Sequence, residues 1–221
     1  MILILIGPPG SGKSTQSHLL VEALKLPFVS VGELIRKALK TEAFASYKKK
    51  VDEGNLLPDQ VVFEVIQDKL EHLDLKKGFI MEGFPRTVGQ AAWMDTFLQQ
   101  KGAKVHRTLY LNTMGIDTIK HRILSRHQCS VCSRVFSLDE LQGKVQCPVC
   151  SGDLYSRQDD HEEVLNTRIQ QYHQQSVPVN EYYRHREVLT SIDASRSIQE
   201  VFASIISELD CCALAEQENV L

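Results

Sequence analysis

The sequence lacks any long apolar run. Its most hydrophobic opening stretch, Met1–Ile6, gives way at once to Gly7-Pro8-Pro9-Gly10, and no later segment approaches the roughly 18 consecutive apolar residues that a membrane-spanning helix needs. A basic leader ahead of that stretch is missing as well, so neither signal peptide nor membrane span is expected, and a cytoplasmic location is. Neither charge is in large surplus: 25 Lys and Arg stand against 28 Asp and Glu, a formal net charge of -3. Nothing global therefore draws the chain to nucleic acid or to an anionic membrane, and any anion site must be local. Internal repeats and low-complexity segments are absent too. One main core with small insertions is the default for 221 residues.

What is present alternates between strand and helix patterns. Met1–Ile6 is uninterrupted Ile and Leu, the composition of a strand covered on both faces of a parallel sheet. Helical spacing follows over Ser14–Leu24, completing the start of a βα unit. Short strands are expected at Phe28–Val29, Phe79–Met81, Thr108–Leu111 and Val188–Ile192. Helices are expected over Asp59–Leu70, Val88–Leu98, Ile116–Arg126, Glu162–Gln175 and Ser197–Leu209. The predicted fold class is α/β with a central parallel sheet flanked by helices. Two segments interrupt the alternation: residues 30–57, helical and lysine-rich, and residues 125–160, polar, turn-rich and cysteine-containing. Both read as insertions lying over a site in the core.

Gly7-Pro8-Pro9-Gly10-Ser11-Gly12-Lys13-Ser14 fits Gly-x4-Gly-Lys-[Ser/Thr] in its required setting, after a strand and before a helix. The glycines let successive N–H groups turn into one concavity, and the helix N-terminus adds its positive end, so phosphate oxygens are held. Lys13 supplies a mobile charge for the β and γ phosphates, and Ser14 a hydroxyl toward Mg2+. Cys129-x2-Cys132-x14-Cys147-x2-Cys150 is a strong signal for four thiolates around one tetrahedral Zn2+ in a closed, structural site. Redox-active or merely buried thiols are the bland alternative, and a nucleic-acid-binding ribbon is another. His127 beside the first cysteine is expected to be a surface or phosphate-proximal residue, and Trp93 a core one. Lys48–Lys50 reads as a solvated helix face, Cys211 and Cys212 as buried or idle thiols, and Glu216–Asn219 as a frayed tail.

Beyond the phosphate loop, Gly-Pro-Pro-Gly-Ser-Gly-Lys-Ser-Thr-Gln at 7–16, Val-Gly-Glu-Leu-Ile-Arg at 31–36, Glu-Gly-Phe-Pro-Arg-Thr at 82–87 and Arg-Gln-Asp-Asp-His-Glu-Glu at 157–163 resemble the adenylate kinase signatures in order and spacing. The resemblance covers the chain to about residue 206. It implies Mg2+-dependent, reversible phosphoryl transfer from ATP to AMP, giving two ADP, in a monomer that binds neither nucleic acid nor membrane. It implies a core of 1–29, 58–124 and 161–221, a monophosphate-binding insertion at 30–57, and a zinc-bearing lid at 125–160. Gly10, Ser11, Gly12, Lys13, Ser14 and Thr15 would hold ATP, with Arg126, Arg196, Val135 and Phe136 beside its base or phosphates. Val31, Arg36, Asn55, Leu56, Leu57, Gly83, Phe84, Pro85, Arg86, Gln90, Arg157 and Arg168 would hold AMP, Gln90 reading the adenine edge. Arg122, Arg126, Arg157 and Arg168 would clamp the transferring group, and Ser14 and Glu82 would lie near magnesium.

Four positions depart from the family pattern. Val31 stands where a threonine is usual, Glu82 for an aspartate, Ser14 for a glycine and Arg196 for a lysine. None removes a required charge, but Val31 invites a rival acceptor such as GMP, CMP or UMP. A non-catalytic nucleotide-binding regulator is the rival from another class; it would have no need for Arg36, Arg86 and Gln90.

Overall fold

In a computed structural model, which describes residues 1–112 and 115–218 and no side chain beyond residue 210, the chain folds around a five-stranded parallel sheet. The expectations for Cys211, Cys212 and Glu216–Asn219 fall outside the described side chains. The central strand is β1 (Ile2–Ile6). Ile2, Ile4 and Ile6 join the apolar cluster on one face, and Leu3 and Leu5 the cluster on the other. That two-residue alternation within an unbroken apolar run is what a strand buried on both faces requires.

The core path runs from β1 through α1 (Lys13–Leu24) to β2 (Phe28–Ser30). It continues into α2 (Val31–Ala38), a 3-10 turn over Glu42–Tyr47, α3 (Lys48–Asp52) and α4 (Asp59–Glu71). Next come β3 (Phe79–Glu82), α5 (Val88–Gln100), β4 (Arg107–Asn112) and α6 (Ile116–Leu124). A separate antiparallel sheet follows, of β5 (Arg126–Cys129), β6 (Val135–Ser137) and β7 (Leu154–Tyr155), with α7 (Leu138–Leu141) after β6. The chain returns through α8 (Glu162–Gln171), a π turn over Tyr172–Ser176, α9 (Val177–Arg184), β8 (Leu189–Asp193) and α10 (Ile198–Glu218).

The main sheet has the order β2-β3-β1-β4-β8. After β1 the chain moves to one side of it and then crosses to β4 on the other, so the path reverses beside β1. Ligands of open α/β sheets bind outside the carboxyl ends of the strands at such a reversal. On one face Leu20, Val201 and Ile205 cover Leu3 and Leu5; on the other Ile66, Met94, Leu98 and Tyr183 cover Ile2 and Ile4. Burying each such side chain is worth about 1.5–3 kcal/mol, so the crevice stands on a stiff floor. Trp93 belongs to this second layer, stacked between Phe63 and Phe97 with centroids 4.5 and 5.4 Å away. Lys48–Lys50 are exposed on α3, and Lys48 pairs with Asp52.

The parallel sheet and its strands match expectation to within a residue, while three helices do not. The one expected over Ser197–Leu209 continues as α10 to Glu218, through most of the stretch expected as a frayed tail, and two others end early. The one expected to reach Arg126 ends at Leu124, where Ser125 Oγ donates to His121 O, and Arg126 instead opens β5, paired with Ser137. The helix expected over Glu162–Gln175 is interrupted by the π turn. Pro178 explains this: it has no N–H to give, and its ring would strike the carbonyl four residues back in a regular helix. The chain restarts as α9, which buries Val179 and Tyr183.

Candidate active site

The phosphate loop leaves β1 at the carboxyl edge of the sheet. Gly7 has φ +146 and a Cβ there would lie 2.5 Å from Leu111 O, while Gly12 takes the left-handed conformation at the N-cap of α1. Only glycine fits both demands. Lys13 folds back over the loop, its Nζ donating to Gly7 O at 3.0 Å and Pro8 O at 2.7 Å. Dehydration pulls its ammonium down to about 7; Glu82 opposes that, and Arg86, Arg168 and Arg126 add to it. A polyphosphate placed there would reverse the balance. Ser14 Oγ donates to Glu82 Oε1 at 2.7 Å, which joins the start of α1 to the end of β3.

Two cavities open over this edge. The first, about 530 Å3, runs from the phosphate loop to the lid residues Val135 and Phe136 and to Arg122, Arg126 and Arg196. The second, about 710 Å3, lies between α2, the 54–57 segment and the lid, and includes Val31, Asn55, Leu57 and Gln90. Phe84 and Pro85 line the first; Leu56, Gly83, Arg36, Arg86, Arg157 and Arg168 line both. Four guanidinium groups therefore stand where the cavities meet. All the nucleotide-site residues expected from the resemblance lie on these walls, with Ser11, Gly12 and Thr15 in the loop of the first.

Adjacent carboxylates hold three of the arginines in place. Arg157 donates through Nε and Nη2 to Asp159 at 2.8 and 2.6 Å, and Arg126 makes the same two-pronged contact with Asp160. Arg168 reaches both, Asp159 Oδ2 at 3.1 Å and Asp160 Oδ1 at 3.2 Å. Burial alone would raise the Asp159 carboxyl, but Arg157 and Arg168 bring it well below the usual carboxylate range. Burial lowers Arg168 to about 10, which leaves it charged at neutral pH. Two carboxylates against three buried guanidinium groups leave a positive site with N–H donors to spare.

The four lid cysteines come together. Their Sγ atoms all lie within 4.8 Å of one another, with Cys129 to Cys150 at 3.5 Å and Cys132 to Cys147 at 3.7 Å, and none is in a disulfide. Zn–S bonds of about 2.3 Å around a tetrahedron put sulfurs about 3.8 Å apart, so the quartet fits Zn2+. Each Cys-x2-Cys is followed by a left-handed serine, Ser133 and Ser151, whose N–H returns to the carbonyl of Cys129 or Cys147. Burial raises the Cys129 thiol, but the N–H groups of Cys132 and Val131 aimed at its sulfur bring it down to about 6. His127 is not among these ligands; its ring faces Ser125 O and Ser156 Oγ.

Five site residues carried no role in the sequence reading: Glu33, Asp59, Gln128, Asp159 and Asp160. Glu33, on α2, accepts from Gln128 Nε2 and Ser133 Oγ, both at 2.7 Å, and so ties the 30–57 insertion to the lid. Arg134 pairs with Glu22 and ties the lid to α1. Asp159 and Asp160 belong to the Arg-Gln-Asp-Asp-His-Glu-Glu segment at 157–163, and their adjacency to Arg157 is the signal the sequence offers. Asp59 and Gln128 act through partners distant in sequence, which no local pattern exposes.

A phosphate loop at the reversal point of a parallel sheet, facing a second cavity across a ring of arginines, defines a P-loop phosphotransferase. A family model described as adenylate kinase matches residues 5–188. Proteins named adenylate kinase from Clostridium tetani (strain Massachusetts / E88) and Thermodesulfovibrio yellowstonii (strain ATCC 51303 / DSM 11347 / YP87) are 36% and 35% identical to the chain. The first alignment covers 95% of the chain and 98% of the relative, the second 99% and 100%. A third, from Geotalea daltonii (strain DSM 22248 / JCM 15807 / FRC-32), is 37% identical over 95% of the chain and 99% of the relative. The chain belongs to the adenylate kinase family.

Proposed function

We propose that this chain is an adenylate kinase that moves the γ-phosphoryl group of ATP to AMP, reversibly, giving two ADP. The observation that carries the reading is the pair of cavities sharing Arg36, Arg86, Arg157 and Arg168, of which only one contains the phosphate loop. A protein that only sensed ATP would need one cavity. Two phosphate-bearing ligands meeting end to end need cations at the junction, and the acceptor phosphate is already ionised, so no general base is called for.

In this reading the loop N–H groups and Lys13 hold the β and γ phosphates, and Arg36 and Arg86 hold the monophosphate. Arg122, Arg126, Arg157 and Arg168 meet charge as it spreads over the phosphoryl oxygens. Magnesium enters with ATP, near Ser14 and Glu82. Gln90 faces the acceptor base, and Val135 and Phe136 border the donor base. Asp159 and Asp160 keep the clamp arginines extended until phosphates arrive, and N–H groups left over on each guanidinium then serve both partners.

The insertion 30–57 and the lid 125–160 close over a core of 1–29, 58–124 and 161–221, excluding water that would turn transfer into hydrolysis. Zinc bound by Cys129, Cys132, Cys147 and Cys150 would brace the lid and take no part in the chemistry. A monomer in the cytoplasm, using ATP, AMP and ADP alone, completes the reading. Val31, buried on the acceptor wall without a hydroxyl, favours a second monophosphate as the competing acceptor. A coupled assay with ATP and each monophosphate in turn decides. ADP formation fastest with AMP is expected, and none with any acceptor overturns the kinase reading.

A further inference from the structure

The carboxamide of Gln90 is held by two partners of opposite kind. Its Oε1 accepts the main-chain N–H of Arg86 at 2.7 Å, and its Nε2 donates to Asp59 Oδ1 at 2.8 Å. A main-chain N–H offers no lone pair and a carboxylate no hydrogen. Turning the amide over would set N–H against N–H and oxygen against oxygen. Gln90 is buried, so each mismatched contact would cost the desolvation of an unpaired polar atom.

Asp59 is fixed in turn. Its Oδ2 accepts from Thr87 Oγ1 at 2.8 Å, and that same hydroxyl caps α5 by accepting the N–H of Gln90 at 3.0 Å. Gly89 makes the room: a Cβ there would lie 2.8 Å from Asp59 Oδ2. The 59 and 90 positions come from the starts of different helices, α4 and α5, which this network locks together.

We propose that Asp59 is a specificity-determining positioning residue, which holds the Gln90 carboxamide in one orientation and so selects acceptors whose base carries an amino donor beside a ring-nitrogen acceptor. The inference rests on the acceptor-cavity reading above. A primary amide has two N–H donors and two acceptor lone pairs, and the internal contacts use one of each. One N–H and one lone pair remain on a residue that lines the acceptor cavity.

Adenine presents an N6 amino group next to the N1 lone pair, which matches that remainder. Hypoxanthine has the same size and presents O6 next to N1–H, so each atom would meet its like. Val31, Leu57 and Val62, which line the same cavity, are apolar and distinguish neither base, whereas the Gln90 amide does. A site with fixed polar groups rejects the mismatched analogue more strongly than an apolar pocket does, because its own buried groups are left unpaired.

The test compares kcat/KM for AMP and for inosine monophosphate, with melting curves measured alongside. The parent protein is expected to favour AMP by about a hundredfold or more. Asp59→Asn keeps the shape but offers a hydrogen as well as a lone pair, so one of the two mismatches that oppose turning the amide is lifted and only the Arg86 N–H still resists it. The ratio is expected to fall about tenfold, mainly through a raised KM for AMP with kcat within about threefold of the parent. Gly89→Ala changes no polar group but crowds Asp59 Oδ2, and is expected to lower the ratio in the same direction, with the melting curve reporting how much of the network is displaced.

A folded Asp59→Asn protein with an unchanged ratio overturns the proposal and leaves the kinase reading standing. If Asp59→Asn does not fold, an unchanged ratio in Gly89→Ala overturns it equally. Parent protein that makes no ADP from AMP removes the acceptor reading and this inference with it.

Discussion

The parallel-sheet core and the cysteine lid reach order by different physical routes. The central strand of the core hides its apolar side chains: Ile4, in the middle of β1, has none of its surface exposed and packs in the cluster that Ile66, Met94 and Tyr183 form on its face of the sheet. The lid has strands of two to four residues, a short helix, and large apolar side chains left in solvent, Val145 among them at 83% exposed. Such a segment has little core of its own, so cross-linking by metal would take over what burial does elsewhere. The lesson concerns location. The glycine-rich loop grows from the end of β1, and Val135 and Phe136, which line the same cavity, grow from the lid.

The sharpest way to break this contrast is at Ile4 and Val145. Ile4→Ala should cost about 2–5 kcal/mol, seen as a lower midpoint in chemical denaturation, whereas Val145→Ser should stay within about 0.5 kcal/mol of the parent. Lys13→Ala should reduce turnover by about a hundredfold or more, roughly 2.7 kcal/mol of transition-state stabilisation, without a change in the denaturation midpoint of comparable size. Near-normal turnover would remove Lys13 from the site.

Chelation should release about one zinc per chain and expose the amides of residues 126–155 to hydrogen exchange, while β1 and β4 keep their protection. Equal loss of protection in both regions would show that the lid is not a separable unit. Unchanged melting after complete zinc removal would refute the structural role of the metal.

The smallest effect is a proton. Dehydration holds Lys13 down to about 7, so much of its charge is lost as pH rises from 6 to 8. Binding ATP supplies negative charge and should take up most of a proton at pH 8, and almost none at pH 6. Binding heats in two buffers of different ionisation enthalpy read this directly. The stability sign follows from the same shift. The unfolded lysine keeps its proton up to about 10.5, so the folded protein gains stability from this group as pH rises from about 7 toward 10.5, and lacks that gain below 7.

Legibility in the sequence tracked how local each signal was. Ile2–Ile6 and the loop through Ser14 form one contiguous pattern, and a strand covered on both faces followed by a phosphate loop could be read from it directly. The cysteine pairs were equally plain, because two-residue spacings and a closed ligand set need no tertiary context. The lid strands were not legible: they are too short to show alternation, and Arg126, which looks like the last residue of a helix, belongs to one of them. The break at Tyr172–Ser176 was hidden because helical spacing continues through it, although Pro178 was in view. Asp59 looked like the opening residue of a helix and nothing more, since its partner Gln90 lies 31 residues away. The arginines could be identified as a set, but the carboxylates that hold them could be weighed only once the fold had placed Asp159 and Asp160 between them.

The central claim is that the two cavities hold a donor and an acceptor whose phosphates meet at the shared arginines. Phosphorus-31 spectra of ATP, AMP, magnesium and the zinc-loaded protein test it in a single sample. The account predicts that ATP and AMP disappear in equal amounts, that two ADP appear for each AMP consumed, and that inorganic phosphate does not accumulate. Release of inorganic phosphate with AMP left intact would contradict it.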